Sequence, residues 1–439
     1  MDNIKLFPWQ EEALTKTEGQ DRVAYYHPMG SGKTFTGSEK MHELKNRVNV
    51  ICCQRSKIDD WVEHMKTYYP DMTTYDLTKP AQYKKFIHDS LPGQAAKAGR
   101  VVGVINYDLI WRRSELKELW GATLMLDESS LLQNFKAKRT KFILNMKADA
   151  VILLSGTPVG GRYERLLPQL RLLGWKIPYN DYWDKYIDYH IEYYGGLNPI
   201  KEVDGYKNVE DLKQQMREHG AHLLTEDQLF ELPAQNDQTV YIKPTADYKR
   251  FLRDRVVIVK QADGSEIELI GDMALNALLY SRQLCGQYNK DKLAAVKDLL
   301  DSADGSRFLI FYNFNAELEA LTDICRQCNR PVSVVNGQQR DLAAYETEED
   351  SVTLIQYQAG AMGLNLQKAT RTIYFTPPLS SELYEQSRKR THRLGQERPC
   401  YYYHLTVRDS VEEHIYETLA ERMDYTAALF EPVMPAKTA

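Results

Sequence analysis

The feature that most narrows the fold is a recurring set of short apolar runs, rich in β-branched residues and closed by polar residues or glycine. In the first half they read "RVAYYH" (22–27), "VNVICC" (48–53), "VVGVIN" (101–106), "ATLMLDE" (122–128) and "AVILLSG" (150–156). Stretches such as "SKIDDWVEHMKTYY" lie between them, with apolar residues at helical spacing. Buried strands alternating with helices imply a parallel sheet covered on both faces. The second half repeats the grammar in "RFLIFYN" (307–313), "PVSVVNG" (331–337), "VTLIQYQ" (352–358), "RTIYFTP" (371–377) and "CYYYHLTV" (400–407). The expected fold class is α/β, with two tandem lobes, each built on a parallel sheet.

A different segment, about 176–290, joins the two series. It is rich in Tyr, Gln, Glu and Lys and carries helical patterns such as "VEDLKQQMREHGAHLL" and "MALNALLYSRQL". It reads as helical extensions on the lobes. The first lobe is then expected over 1–235, with its extension from about 176, and the second over 236–439, with a helical insertion at about 244–290.

The chain has 439 residues, enough for such a pair. It contains no run of about 18 apolar residues, so no membrane partner is expected. Its start, "MDNIKLFPWQEEAL", lacks a basic start and an apolar core, so it does not read as a signal peptide. The six cysteines show no disulfide framework, which suits a reducing cytosol. Cys325 and Cys328 form a lone C-x-x-C with no second pair, and read as the end of a helix. A net charge of −5 does not advertise a nucleic-acid binder, yet a local cleft can be basic on an acidic protein.

The chemistry sits where strands end. "HPMGSGKT" (27–34) follows the first strand and opens a helical pattern. Gly32, Lys33 and Thr34 fit the phosphate-loop pattern G-x-x-x-x-G-K-[ST], but His27 stands where its first glycine would be. Backbone amides over Gly30, Ser31, Gly32 and Lys33 can face phosphate oxygens at a helix N-terminus, and Met29 before them belongs to the Met-Gly-x-Gly-Lys-Thr form that the family resemblance given below implies. Lys33 can reach the β and γ phosphates, and the Thr34 hydroxyl can ligate Mg²⁺. Asp127 and Glu128 close another strand at the same sheet edge. Asp127 can hold Mg²⁺ through water, and Glu128 can orient and deprotonate an attacking water. "LLSGTP" (153–158) ends a further strand and is a candidate coupler. In the second half, "YEQSRKRTHRLGQERP" (384–399) places Gln386, Arg390 and Arg393 at spacings of four and three, expected on one helical face. Arginines there can stabilise charge on a γ-phosphate. Only the first series carries a phosphate loop, so one nucleotide is expected per pair of lobes.

In this order, the motifs resemble those of superfamily-two helicase-type motors, and more narrowly the Swi/Snf-type DNA translocases, over nearly the whole chain. "FPWQEEAL" resembles the entry motif, "HPMGSGKT" the phosphate loop and "DESSLLQNFKAKRTK" the acidic box with its trailing basic residues. "VICCQRSKIDDW", "VINYDLI" and "YQAGAMGLNLQKAT" resemble further motifs, and "EQSRKRTHRLGQERP" is close to Q-x-x-x-R-x-H-R-x-G-Q. Three departures stand out. Ser130 replaces the usual histidine of the acidic box, Gly160, Gly161 and Arg162 replace asparagines after SGTP, and "HLLTED" replaces the usual arginine pair. The resemblance implies RecA-like lobes that use ATP and Mg²⁺. It implies that Gln10 reads adenine, that Gly363 and Asn365 approach nucleotide, and that Gln386, Arg390 and Arg393 join the catalytic set with Lys33, Asp127 and Glu128. It implies DNA contacts at Ser56, Lys57, Tyr107, Asn134, Lys138, Arg139 and Asn313. The expected activity is ATP-driven translocation on double-stranded DNA through sequence-independent contacts. A strand-separating or branch-migrating helicase and an ATP-switched remodeller of protein–DNA complexes are the alternatives. A monomeric motor in the cytoplasm of a bacterial or phage-infected cell, working with replication, recombination or repair proteins, completes the expectation.

Overall fold

The protein is described by a computed structural model that covers residues 5–430, apart from 95–98, 194–198, 230, 261–263, 304 and 361–363. Packing groups the chain up to Phe230, with the chain from Asp424 onward, into one unit, and Glu231–Met423 into a second.

The first unit holds a seven-stranded sheet. Its strands are β1 (Arg22–Tyr26), β2 (Val48–Cys53), β3 (Met72–Asp76), β4 (Arg100–Asn106), β5 (Ala122–Asp127) and β6 (Ala148–Ser155), followed beyond a hairpin of β7 (Ile187–Glu192) and β8 (Ile200–Tyr206) by β9 (Ala221–Leu223). The order is β3-β4-β2-β5-β6-β1-β9, and every pairing in this sheet is parallel. Successive strand residues point to opposite faces, and both faces are covered. Along β1, Val23 and Tyr25 enter one buried cluster with Ile51, Met125, Ile152 and Leu154. Ala24 and Tyr26 enter the other with Val50, Leu124, Leu126 and Leu153. Two-sided burial is why these strands are apolar throughout rather than alternating.

The second unit repeats the plan with β10 (Gln235–Ile242), a hairpin of β11 (Val256–Lys260) and β12 (Glu266–Ile270), then β13 (Phe308–Tyr312), β14 (Val332–Val335), β15 (Val352–Gln356), β16 (Arg371–Tyr374) and β17 (Cys400–Val407). Its six-stranded sheet has the order β10-β17-β16-β13-β15-β14, again with parallel pairings. Leu309 and Phe311 pack on one side, Phe308 and Ile310 on the other.

All ten sequence-expected strands are present within a few residues of their expected ends. The joining segment differs from expectation. It contains helices, including Tyr179–Tyr186 and Ala274–Cys285, but also the two antiparallel hairpins β7–β8 and β11–β12. It further supplies β9 and β10, the edge strands of the two sheets. "VVIVK" alternates exposed and buried residues as a half-exposed strand does, while "EIELI" is exposed except for Leu269, and their short length and charged neighbours hide them among helical stretches.

One charged pair lies deep in the second unit. Lys292 Nζ donates to Glu412 Oε1 at 2.6 Å and Oε2 at 2.8 Å, with both side chains 0% exposed. Glu412 also accepts the Val407 N–H at 3.0 Å, which completes its shell. Removing one partner of such a pair strands the other charge in the interior. Lys292→Met is expected to destabilise the second unit by about 3–5 kcal/mol, checked by urea unfolding followed by tyrosine fluorescence, while the double variant Lys292→Met with Glu412→Leu should recover most of that loss.

Candidate functional site

Helices α1 (Pro8–Lys16), α2 (Lys33–Glu43) and α3 (Ile58–Tyr68) flank the first sheet. In that sheet Tyr26 pairs with Ser155, and Asp127 pairs with Leu154. The strand order β5-β6-β1 therefore sets the acidic pair, the SGT segment and the phosphate loop side by side at the carboxyl edge.

The loop turns on two glycines with left-handed backbone, Gly30 at φ +85° and Gly32 at φ +78°. A Cβ on Gly32 would stand 2.5 Å from Gln10 Nε2, so glycine is required there twice over. Gln10 is buried on α1; its Nε2 donates to the Gly32 carbonyl at 2.9 Å, and its Oε1 accepts the Phe7 N–H at 2.8 Å. Trp9 Nε1 donates to the Ser31 carbonyl at 3.0 Å. The expected adenine reader is thus also a brace of the loop. Lys33 opens α2, and its ammonium donates to the carbonyls of His27 at 2.9 Å and Pro28 at 3.0 Å. A Cβ on Gly156 would lie 3.6 Å from Lys33 Nζ, which places the SGT segment against the loop.

These residues fit a Mg²⁺-nucleotide. The two left-handed glycines and the α2 N-terminus form an amide cradle, and Ser31 Oγ is buried without a protein hydrogen-bond partner among the described residues. Thr34 and Asp127 would hold the metal, and Met29 to Lys33 the phosphates. When bound, the metal would neutralise phosphate charge. Within the chain itself, Lys33 supplies fixed positive charge and Glu128 a carboxylate able to take a proton from water.

The acidic turn is tightly built. Trp61 on α3 donates its indole N–H to Asp127 Oδ2 at 2.8 Å. Burial raises the Asp127 carboxyl above its ordinary range, while the Trp61 hydrogen bond and the Lys33 and Lys57 cations oppose that rise. Glu128 has a left-handed backbone, φ +54° and ψ +57°. That conformation in a non-glycine residue costs on the order of 1–3 kcal/mol and persists only where neighbours enforce it. Tyr107 Oη donates to the Asp127 carbonyl at 2.9 Å, and Ser129 Oγ donates to Gln169 Oε1 at 2.7 Å. Trp61, Tyr107 and Gln169 thus reach this turn from three elements distant in sequence. The expectation had set Tyr107 against DNA. Its ring is 2% exposed and its hydroxyl is spent on the acidic turn, so it serves the turn. No motif in the sequence marks Trp61 or Gln169 for this role. The one available signal was polar capacity within apolar helical stretches, as in "RLLPQLRLL".

The other expected DNA contacts fall in three places. Ser56 and Lys57 lie in the turn before α3, with Lys57 paired to Asp60 at 2.8 Å. Asn134 caps its own turn by accepting the Lys136 N–H, Lys138 lies 4.9 Å over the Trp111 ring, and Arg139 pairs with Asp108 at 3.6 Å. These segments follow β2 and β5 and border the turn after β4, three neighbouring strands. Asn313, in the second unit, spends its amide on the Thr376 and Pro377 carbonyls and the Thr376 hydroxyl, which makes it a strand-end tie.

In the second unit the arginine motif departs from its expected geometry. The helix spans Ser381–Arg388 and ends before Arg390 and Arg393, so Gln386 shares no helical face with them. The chain turns there because Gln396 Nε2 donates to the Gln367, Ala369 and Thr391 carbonyls, folding the segment back on itself. Gln386 is 6% exposed and Arg390 1%, whereas Arg393 is partly exposed and donates to Asn365 Oδ1. Arg393 and Asn365 are thus brought together, while Gly363 lies outside the described residues. Arg388, which had no assigned role, pairs with Asp237, a residue that also accepts from His404 at 2.9 Å.

A family model for the SNF2-related domain matches residues 22–290, and one for the helicase conserved C-terminal domain matches residues 291–395. The chain belongs to the SNF2-related family. It is 23% identical over 443 residues to a Drosophila melanogaster SWI/SNF-related matrix-associated actin-dependent regulator of chromatin subfamily A-like protein 1, covering 96% of this chain and 55% of the relative. It is 24% identical over 423 residues to the human DNA annealing helicase and endonuclease ZRANB3, covering 89% of this chain and 37% of the relative. The chain therefore spans about half or less of the length of these curated relatives. A solved Sulfolobus solfataricus SWI2/SNF2 ATPase core in complex with dsDNA is 17% identical with a TM-score of 0.42, covering 98% of this chain and 94% of that one.

For this SNF2-related chain the Trp61–Asp127 bond gives a direct test of the metal assignment. Trp61→Phe removes the N–H together with part of a fused ring that is buried in the core. A hydrogen bond to a carboxylate contributes about 1.5–3 kcal/mol. The variant is expected to need about tenfold more Mg²⁺ for half-maximal binding of a fluorescent ATP analogue, read in a Mg²⁺ titration run well below its melting temperature, which the smaller ring should lower.

Proposed function

We propose that this chain is a DNA-stimulated ATPase that hydrolyses ATP to ADP and phosphate and moves along duplex DNA. The observation that carries the reading is the meeting of Lys33, the SGT segment and the Asp127–Glu128 turn at three adjacent strand ends. Lys33 holds phosphate charge, Asp127 anchors the metal, and Glu128 takes the proton as water attacks the γ-phosphorus. Arg393, with Arg390 in the same short motif, stabilises charge on the phosphoryl group in transit. DNA contact falls to Ser56, Lys57, Asn134, Lys138 and Arg139, on the segments that follow β2 and β5. Such contacts are to phosphates, so binding is independent of sequence and weakens steeply with salt. The match to the helicase conserved C-terminal domain and the likeness to a DNA annealing helicase support the class.

The test is ATP turnover with and without duplex DNA. Wild-type turnover should rise with duplex, and more than with single strands. Lys33→Ala and Glu128→Gln should each lower it by at least about 100-fold, and Arg393→Ala by about 100-fold or more. Normal turnover by Lys33→Ala would refute the site. Displacement of a triplex-forming strand without unwinding of a forked duplex marks translocation; unwinding of the fork marks a strand-separating helicase. ATP-dependent binding without DNA-length-dependent turnover marks a switched remodeller.

A further inference from the structure

Gln169 lies in helix α4 (Leu167–Leu172), an otherwise apolar element, and is 0% exposed. Its carboxamide joins three segments of the first unit. Oε1 accepts from the Tyr26 hydroxyl at 3.0 Å and from Ser129 Oγ at 2.7 Å, which uses both lone pairs. Nε2 donates to the Pro158 carbonyl at 2.7 Å. Tyr26 is the last residue of the strand that runs into the phosphate loop, Ser129 directly follows Glu128, and Pro158 closes SGTP. One side chain thus touches the strand before the loop, the acidic turn and the SGTP segment.

Glu128 has the strained backbone of this turn, and strain of that kind needs fixed neighbours. On one side of Glu128, Tyr107 holds the Asp127 carbonyl; on the other, Gln169 holds the Ser129 hydroxyl. The Pro158 bond then ties the same carboxamide to the SGTP segment, whose Gly156 lies against Lys33.

We infer that Gln169 is a positioning residue for hydrolysis: it fixes Glu128 through Ser129 and locks the acidic turn to the SGTP segment, so that the general base and the phosphate loop keep register during turnover. The inference rests on the ATPase reading above. Gln169 touches neither nucleotide nor the attacking water; it acts through Ser129 and Pro158. Its loss should therefore lower kcat and leave ATP binding intact.

Three variants test this in the full-length chain, with saturating duplex DNA. Ser129→Ala removes one bond and adds no volume. Gln169→Leu removes all three. Gln169→Glu keeps both acceptor contacts, but its carboxylate form cannot donate to Pro158. Ser129→Ala and Gln169→Glu are expected to lower kcat about tenfold at pH 8 with the KM for ATP within about twofold of wild type. Gln169→Glu should regain turnover relative to wild type as pH falls, because the protonated acid donates to the Pro158 carbonyl again. Gln169→Leu should be the slowest, and Ser129→Ala decides the matter if that variant does not fold. Unchanged kcat in Ser129→Ala and Gln169→Glu overturns the inference, as does loss of ATP binding in step with kcat. An active wild type with unchanged variants refutes the positioning role alone, whereas a wild type without ATP turnover refutes the ATPase reading and this inference with it.

Discussion

The site depends on the hydrogen-bond register among β5, β6 and β1. Asp127 pairs with Leu154 and Tyr26 with Ser155, so the acidic turn, the SGT segment and the phosphate loop leave the sheet within about one residue of each other. Burial on both faces fixes that register. Leu124 and Leu126 belong to one core and Met125 to the other. A slip of one residue in β5 would exchange the two sets and turn Asp127 to the opposite face of the sheet. The parallel direction matters equally, since it brings every strand's carboxyl end and the N-terminus of α2 to one edge. The same apolar packing that stabilises the sheet therefore aligns the chemistry.

Polar groups at that edge are held by other polar groups rather than left to water. Gln10 braces Gly32, Trp61 braces Asp127, Tyr107 braces the carbonyl behind it, and Gln169 braces Ser129. In a low-dielectric setting such a network is worth most when every member is paired, and an unpaired member is costly. Such bracing also suits the hydrolysis proposed above. Charges aimed in advance at a phosphoryl group need no reorganisation as the bond breaks.

Much of this was legible in the sequence. The sheet strands could be read because two-sided burial leaves an uninterrupted apolar run, and the loop and acidic pair could be read because their residues are contiguous. What escaped depends on long-range pairing. β3, β9 and β10 are edge strands, and the exposed pattern of "QNDQTVYI" does not announce a sheet. Trp61 and Gln169 meet the acidic turn from 66 and 40 residues away in the chain, and no local pattern encodes such partners. The arginine motif failed for a related reason. A spacing of four and three is helical only if the helix continues, and here Gln396 turns the chain back through three carbonyls. Three arginines of one short stretch thus take different places: Arg388 on Asp237, Arg390 buried, and Arg393 partly exposed on Asn365.

The departures from the family pattern also have backbone reasons. The phosphate loop needs glycine where φ is positive, and those positions are Gly30 and Gly32. His27 is not among the positive-φ residues, so nothing in its backbone calls for glycine. Its main chain works instead, with the N–H donating to Ser155 and the carbonyl accepting from Lys33, while its ring meets His222 at 2.9 Å. After SGTP, Gly160 and Gly161 have φ of +52° and +70°. Glycine enters this left-handed region at no steric cost, so Gly160 and Gly161 meet the backbone demand of the turn. Glycine offers no side-chain hydrogen bond there. The segment is held instead by the buried carboxamide of Gln169, which reaches the Pro158 carbonyl from a different element.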